Sequence, residues 1–163
     1  MSSANAVEQA PVLLQAGAGE HVWGTRACIT VKVAAEAVSV LELLVPPEFG
    51  SPLHVHHRED EAIQVLEGTL RVVCGDRDEA VGPGGFAFLP RGIAHGFWVL
   101  EAPARFLAVM TPGGVEGLFL ESGRPADSAR LPEPGFVPPG SMDPHEQRYG
   151  VETVGPPIGP GVG

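Results

Sequence analysis

The sequence has little positive charge, with ten lysine and arginine residues against twenty acidic residues and a formal net charge of −10 at pH 7. Lys32 is the single lysine, and the arginines are scattered along the chain. Without a basic cluster the chain cannot neutralise the phosphates of DNA or RNA, so we expect no nucleic-acid partner. No apolar run reaches the ~18 residues of a membrane-spanning helix, so we expect no membrane insertion either.

Cysteine is scarce as well. Cys28 and Cys74 stand alone, without a CxxC pair, which is typical of reduced thiols packed on the strands of a cytosolic protein. The first basic residue is Arg26, so the pattern of a secretory signal is missing. We therefore expect a cytoplasmic protein. The sequence also lacks a GxSxG nucleophile motif, a phosphate-binding glycine loop and zinc-finger spacing.

Glycine and proline, in contrast, are abundant, and they interrupt short apolar runs every 8 to 12 residues along the chain. Many short strands at this spacing are typical of an all-β sandwich or barrel. Exposed edge strands in such a fold invite pairing, which makes a homodimer the assembly to test. The predicted strands are 27–33, 37–45, 52–57, 61–66, 69–74, 85–89, 94–100 and 104–111.

Four phenylalanines on these strands are expected in the core: Phe86, Phe88, Phe97 and Phe106. After the strands the hydrophobic period changes. Residues 111–123 predict a helix, and 124–141 are rich in proline and indicate a loop. A short helix is predicted at 141–150, and the final residues, "GPPIGPGVG", are expected to fray.

The stretch "HVHHREDE" (54–61) concentrates histidines and acids. Residues two apart on a strand share a face, so His54 and His56 point the same way and His57 points away. Glu61 shares its parity with apolar residues of the next run, and a carboxylate on a core face needs a partner or a metal. Glu59 has the same parity, but it falls in a predicted solvated turn with Arg58 and Asp60.

A further donor is His95, which follows "GGFAFLPRGIA" and begins another predicted strand. Imidazole and carboxylate ligands together suit Fe, Ni, Mn, Cu or Zn, with positions left over for water or substrate. We therefore expect one divalent transition metal as cofactor.

Both stretches resemble the two motifs of the cupin superfamily. "GSPLHVHHREDEAIQVLEG" (50–68) matches the first motif, HxH followed by Glu and Gly, and "GGFAFLPRGIAH" (84–95) matches the second. The resemblance implies an all-β fold, the double-stranded β-helix or jelly-roll barrel, with short C-terminal helices. It also implies a metal held inside by His54, His56, Glu61 and His95. One departure is Val99, which stands where the second motif usually has Asn.

The resemblance extends over most of the chain to single-domain cupins of the quercetinase-like dioxygenase group. It implies one domain over 1–163, with barrel motifs at about 36–112 and with 113–163 packing on the barrel as a helix, a proline-rich loop and a tail. Such a protein would oxidise or cleave an aromatic or enolic small molecule with O₂. The apolar residues Ile63, Phe97 and Val99 are expected to line its substrate pocket.

In this hypothesis Glu61 is both a ligand and the catalytic base that takes a proton from a substrate hydroxyl. Two alternatives stay open at this point. The same ligands would serve a non-oxidative isomerase, epimerase, cyclase or lyase, in which the metal acts as a Lewis acid. A small-molecule binding cupin without turnover is the third hypothesis.

Overall fold

The computed structural model describes residues 10–137 and 143–161. Within these ranges the chain forms thirteen strands and two short helices. The first strands are β1 (Glu20–Trp23), β2 (Cys28–Ala34), β3 (Ser39–Val45), β4 (Phe49–Gly50), β5 (Pro52–His56), β6 (Asp60–Glu67) and β7 (Leu70–Cys74). They are followed by β8 (Arg77–Val81), β9 (Phe86–Leu89), β10 (His95–Val99), β11 (Ala104–Thr111), α1 (Glu116–Ser122), β12 (Arg124–Ala126), α2 (Asp143–Tyr149) and β13 (Val151–Pro157).

The strands form two antiparallel sheets. The larger sheet has the order β12-β1-β2-β3-β11-β6-β9, and the smaller has the order β13-β5-β10-β7-β8, with β4 also paired to β10. This confirms the all-β architecture with short C-terminal helices. Consecutive strands β5 and β6 lie in different sheets, so the first motif crosses from one sheet to the other.

The core lies between the sheets, because alternate residues of each strand point inward. In β3 and β11 every second residue is buried, and Leu41 and Phe106 have no exposed surface. The ring of Phe106 on β11 meets that of Phe97 on β10 edge to face, with 5.1 Å between centroids. This contact joins the two sheets across the interior.

The strand predictions from hydrophobic pattern agree with eight of the observed strands and miss the others within the described ranges. Residues 77–81 carry "RDEAV", which has no apolar alternation, yet they form β8 by pairing with β7. The prediction that the last residues fray was wrong for 155–157, which belong to β13 and pair with β5. Residues 124–126, predicted as loop, form β12 against β1.

The placement of Phe86 and Phe88 in the core was also wrong. They are 60% and 57% exposed, because the inward face of β9 carries Ala87 and Leu89. Strand β9 is an edge of the larger sheet. The homodimer stays a prediction.

The C-terminal segment packs against α1 and the smaller sheet. The Tyr149 hydroxyl donates to Glu121 at 2.6 Å and so joins α2 to α1. A Cβ on Gly117 would lie 2.5 Å from the Tyr149 ring, so only glycine lets this ring approach the helix. The first helix, predicted within 111–123, is observed as α1 with Val115 at its N-cap. The start of the second predicted helix, 141–142, lies outside the described residues. No helix in the described part of the chain is long and apolar enough to cross a membrane.

Candidate metal centre

Three of the four predicted ligands lie on neighbouring strands of the smaller sheet. His54 and His56 are two apart on β5 and face the interior together. His95, the first residue of β10, pairs directly with His54 across the sheet, so their side chains are neighbours on one face. Glu61 comes from β6 of the larger sheet. The four residues therefore meet between the sheets.

Their ligand atoms form a tight cluster, with one atom from each of the four residues within 4.8 Å of all the others. Glu61 Oε2 lies 3.2 Å from His95 Nε2 and 3.7 Å from His56 Nε2. His56, Glu61 and His95 are buried, and His54 is partly exposed.

The outer nitrogen of each imidazole has a hydrogen-bond partner. Nδ1 of His54 donates to the Pro52 carbonyl oxygen at 2.8 Å, and Nδ1 of His95 donates to that of Ile93 at 2.9 Å. The partner of His56 Nδ1 is a carboxylate oxygen of Glu59, at 3.4 Å. Because carbonyls and carboxylates only accept, each Nδ1 carries a proton. In the metal-free site His95 Nε2 also donates to Glu61, and loss of that proton would free its lone pair for a cation.

Burial and electrostatics set the protonation of the cluster. Burial, helped by the charge of His95, lowers the pKa of His54 to about 4, so this imidazole is neutral at pH 7. Burial would raise the pKa of Glu61, but the hydrogen bond from His95 and the surrounding imidazoles outweigh it, and the net shift is downward. For His95 burial acts in the opposite direction and would lower the pKa. The hydrogen bond to Glu61 and the charge of Glu61 outweigh burial, so the pKa of His95 lies above its ordinary value.

These residues fit a divalent transition metal. Three imidazole lone pairs and one carboxylate form an N₃O donor set that suits Fe, Ni, Mn, Cu or Zn. The hydrogen bonds to Nδ1 are the outer contacts that orient histidine ligands in metalloproteins. The cluster predicted from sequence is therefore brought together.

The structure corrects the predicted environment of Glu59. The sequence placed this residue in a solvated turn, but its side chain is buried, with 3% of the residue exposed, behind His56. Sequence reasoning therefore missed a residue that contacts a candidate ligand. The available signal was its parity, which matches that of Glu61. Asp60, its neighbour, pairs with Arg91 at 2.7 Å.

The cluster borders a cavity of about 590 Å³ between the sheets. Ile63 and Phe97 line it, as do Phe106 and Met110. Val99, predicted to line the pocket, is fully buried in the core and does not border the cavity. Val99, at the position where the second motif usually has Asn, is therefore a core residue.

The C-terminal segment forms part of the cavity wall, which the sequence did not indicate. Val151 pairs with His56 and Thr153 pairs with His54, so β13 runs beside the strand that carries two candidate ligands. Both residues line the cavity, together with Glu146 of α2. The Glu146 carboxylate accepts hydrogen bonds from the backbone N–H and the hydroxyl of Thr153, at 3.1 and 2.7 Å.

Comparison with known proteins agrees with this geometry. A family model described as a cupin domain matches residues 41–110, which include all four clustered residues. A quercetin 2,3-dioxygenase from Bacillus subtilis is 30% identical over 129 residues, which are 77% of this chain. The chain spans 38% of the length of that relative.

Solved structures show the same fold. KdgF from Halomonas sp. superposes with a TM-score of 0.57 over 61% of this chain and 93% of its own, at 15% identity. A conserved protein with a double-stranded β-helix domain from Klebsiella pneumoniae superposes with a TM-score of 0.51 over 56% of this chain and 82% of its own, at 20% identity. The double-stranded β-helix predicted from the motifs is confirmed. With its motifs, its fold and its matching family model, this chain belongs to the cupin superfamily.

Proposed function

We propose that the protein is a metal-dependent dioxygenase that oxidises or cleaves a hydroxylated aromatic or enolic small molecule with O₂. The observation that carries the proposal is the position of His54, His56, Glu61 and His95 at the border of a largely apolar cavity. The similarity to a quercetin 2,3-dioxygenase supports the oxidative reaction.

The cavity lining favours an uncharged aromatic substrate. Phe97 and Phe106 line the cavity, with their rings packed edge to face, and aromatic rings favour flat apolar partners. Within the described ranges no lysine or arginine borders the cavity. A substrate with several carboxylates, such as an acidic sugar, would therefore bury its charges without a cationic side chain as partner.

A redox-active metal of this set, Fe, Ni, Mn or Cu, would when bound supply a Lewis acid for a substrate oxygen and the one-electron chemistry that O₂ requires, which Zn would not. The chain's own residues would do the rest. With a metal bound, the three histidines would be neutral donors, and Glu61 would contribute the single negative charge of the ligand set. The lowered pKa of Glu61 leaves it ionised at neutral pH, so it can accept a proton from a substrate hydroxyl, although the same shift makes it a weaker base than an ordinary carboxylate. The apolar walls would exclude water from the reacting molecule.

The size of the cavity suits this substrate class. A volume of about 590 Å³ lies within the ~300–1,000 Å³ typical of sites for small organic ligands. Because the ligands come from both sheets, a substrate that reaches them lies between the sheets.

The test is oxygen consumption by metal-reconstituted protein with a panel of flavonols and enolic ketones. We expect O₂ uptake in proportion to product, and no uptake by a His54→Ala/His56→Ala double variant. Product at an undiminished rate without O₂ would assign the protein to the isomerase, epimerase, cyclase or lyase class. Tight binding of a panel compound without turnover would indicate a binding cupin.

A further inference from the structure

The carboxylate of Glu59 lies behind the metal cluster. It is buried beside His56 Nδ1, on the side of the imidazole away from Glu61. It is not one of the four residues whose ligand atoms converge. We propose that Glu59 is a positioning residue that orients His56 and increases the affinity of the site for a divalent cation. This rests on the metal dependence in the proposed function but not on the reaction catalysed.

The contact differs from those of the other two imidazoles. Nδ1 of His54 and of His95 meets a neutral backbone carbonyl, whereas Nδ1 of His56 meets a carboxylate. The carboxylate contact is longer, 3.4 Å against 2.8 and 2.9 Å, but at equal distance a carboxylate draws the Nδ1 proton more strongly than a carbonyl does, because it is charged. The carboxylate thereby shifts electron density toward Nε2 of His56, and His56 becomes the stronger donor to a cation.

The charges of the site point the same way. Glu59 and Glu61 are both buried, with 3% and 7% of each residue exposed. Together they carry a formal charge of −2, equal and opposite to that of a divalent cation. In the described part of the chain no lysine or arginine nitrogen lies within 4.0 Å of the Glu59 carboxylate, and its ion-pair partner is His56. Burying a carboxylate in this way disfavours the metal-free fold and favours the metal-bound one.

A positioning role of Glu59 and a purely structural role predict different effects of removing its charge. If Glu59 acts toward the cation, removing its charge weakens cation binding without destabilising the metal-free protein. If Glu59 only supports the fold, removing its charge destabilises the protein and leaves cation binding unchanged.

The chain supplies a matched control. His57, the next residue, pairs with Glu152 at 2.8 Å, and both side chains are largely exposed. This is also an imidazole–carboxylate pair next to the cluster, but it lies outside the cavity. Glu152→Gln therefore makes the same chemical change without touching the buried site.

The experiment uses the full chain, stripped of metal and titrated with Co²⁺ against a chromophoric chelator. We expect Glu59→Ala to weaken Co²⁺ binding by about 10–100-fold. Glu59→Gln should weaken it less, because the amide oxygen still accepts from Nδ1 but carries no charge. The visible absorption of bound Co²⁺ should shift in both variants and stay unchanged in Glu152→Gln. Metal-free Glu59→Gln should melt no lower than the wild type, and Co²⁺ should raise its melting temperature less.

Wild-type Co²⁺ affinity and an unshifted spectrum in both Glu59 variants would overturn the proposal. So would a lower melting temperature of metal-free Glu59→Gln with unchanged affinity, which would indicate a structural role. If Glu59→Ala does not fold, the near-isosteric Glu59→Gln decides the question. Absence of Co²⁺ binding by the wild type would instead overturn the metal centre, and with it the proposed function.

Discussion

Nε2 of His57 lies 2.8 Å from a carboxylate oxygen of Glu152, on the surface of the protein. The adjacent His56 is buried in the metal cluster. The two neighbours face opposite ways: His56 is the last residue of β5 and faces the interior, and His57, the residue after the strand, faces the surface.

The first prediction separates these two histidines. His56→Ala should remove most of the bound metal, because it deletes one of three imidazole donors. His57→Ala should leave the metal content almost unchanged. Elemental analysis of protein purified without chelator measures both. Equal loss in the two variants would mean that His57 is also a ligand.

The second prediction concerns Glu61 as base. Glu61→Gln keeps the size of the side chain but removes its charge and basicity, and it should lower turnover by ~10²–10⁴-fold. Rates are to be compared at equal metal content. Glu67→Gln on the same strand is the control, since Glu67 pairs with Arg105 at 2.6 Å on the surface. Turnover at the wild-type rate in metal-loaded Glu61→Gln would exclude base catalysis by this residue.

The third prediction concerns the contact between the sheets. Phe106 has no exposed surface, so Phe106→Ala should destabilise the protein by about 3–5 kcal/mol, through lost burial and the cavity left behind. Phe86→Ala, on an exposed edge strand, should change the free energy of unfolding by less than about 0.5 kcal/mol in the monomer. Denaturant unfolding measures both. A large loss at Phe86 that depends on protein concentration would indicate that β9 is a dimer interface.

The fourth prediction concerns the attachment of the C-terminal segment and its pH dependence. Glu121 accepts a hydrogen bond from Tyr149 and lies near Arg148 and His145, and these contacts lower its pKa from the ordinary 4.5. A lowered carboxyl pKa stabilises the fold fully above pH 4.5, and the contribution is lost as the pH falls through the folded-state pKa. Thermal unfolding of the wild type and of Glu121→Gln should therefore differ at pH 7 and converge in acid.

A difference in melting temperature that persists unchanged in acid would contradict this account. Tyr149→Phe is the matched variant, because it removes only the hydroxyl that donates to Glu121. It should reproduce part of the loss at pH 7.

The local sequence determined much of the metal centre. Alternation along a strand placed His54 and His56 on one face and His57 on the other, and these placements follow from backbone geometry alone. The spacing of the two motifs added Glu61 and His95. Gly- and Pro-bounded apolar runs likewise predicted eight of the strands, because a half-buried strand leaves a period of two in the sequence.

Only the tertiary structure decided which face of an edge strand is covered and which polar residues are enclosed. The pattern of Phe86 and Phe88 indicates a strand face but not its direction, and the inward face of β9 is set by its pairing with β6. Glu59 has the sequence context of a solvated turn, yet the chain folds its carboxylate behind His56. Strand β13 pairs with β5, although it lies about 100 residues further along the chain. Such pairings depend on backbone hydrogen bonds and burial between segments that are distant in the sequence. Local hydrophobic patterns therefore do not predict them.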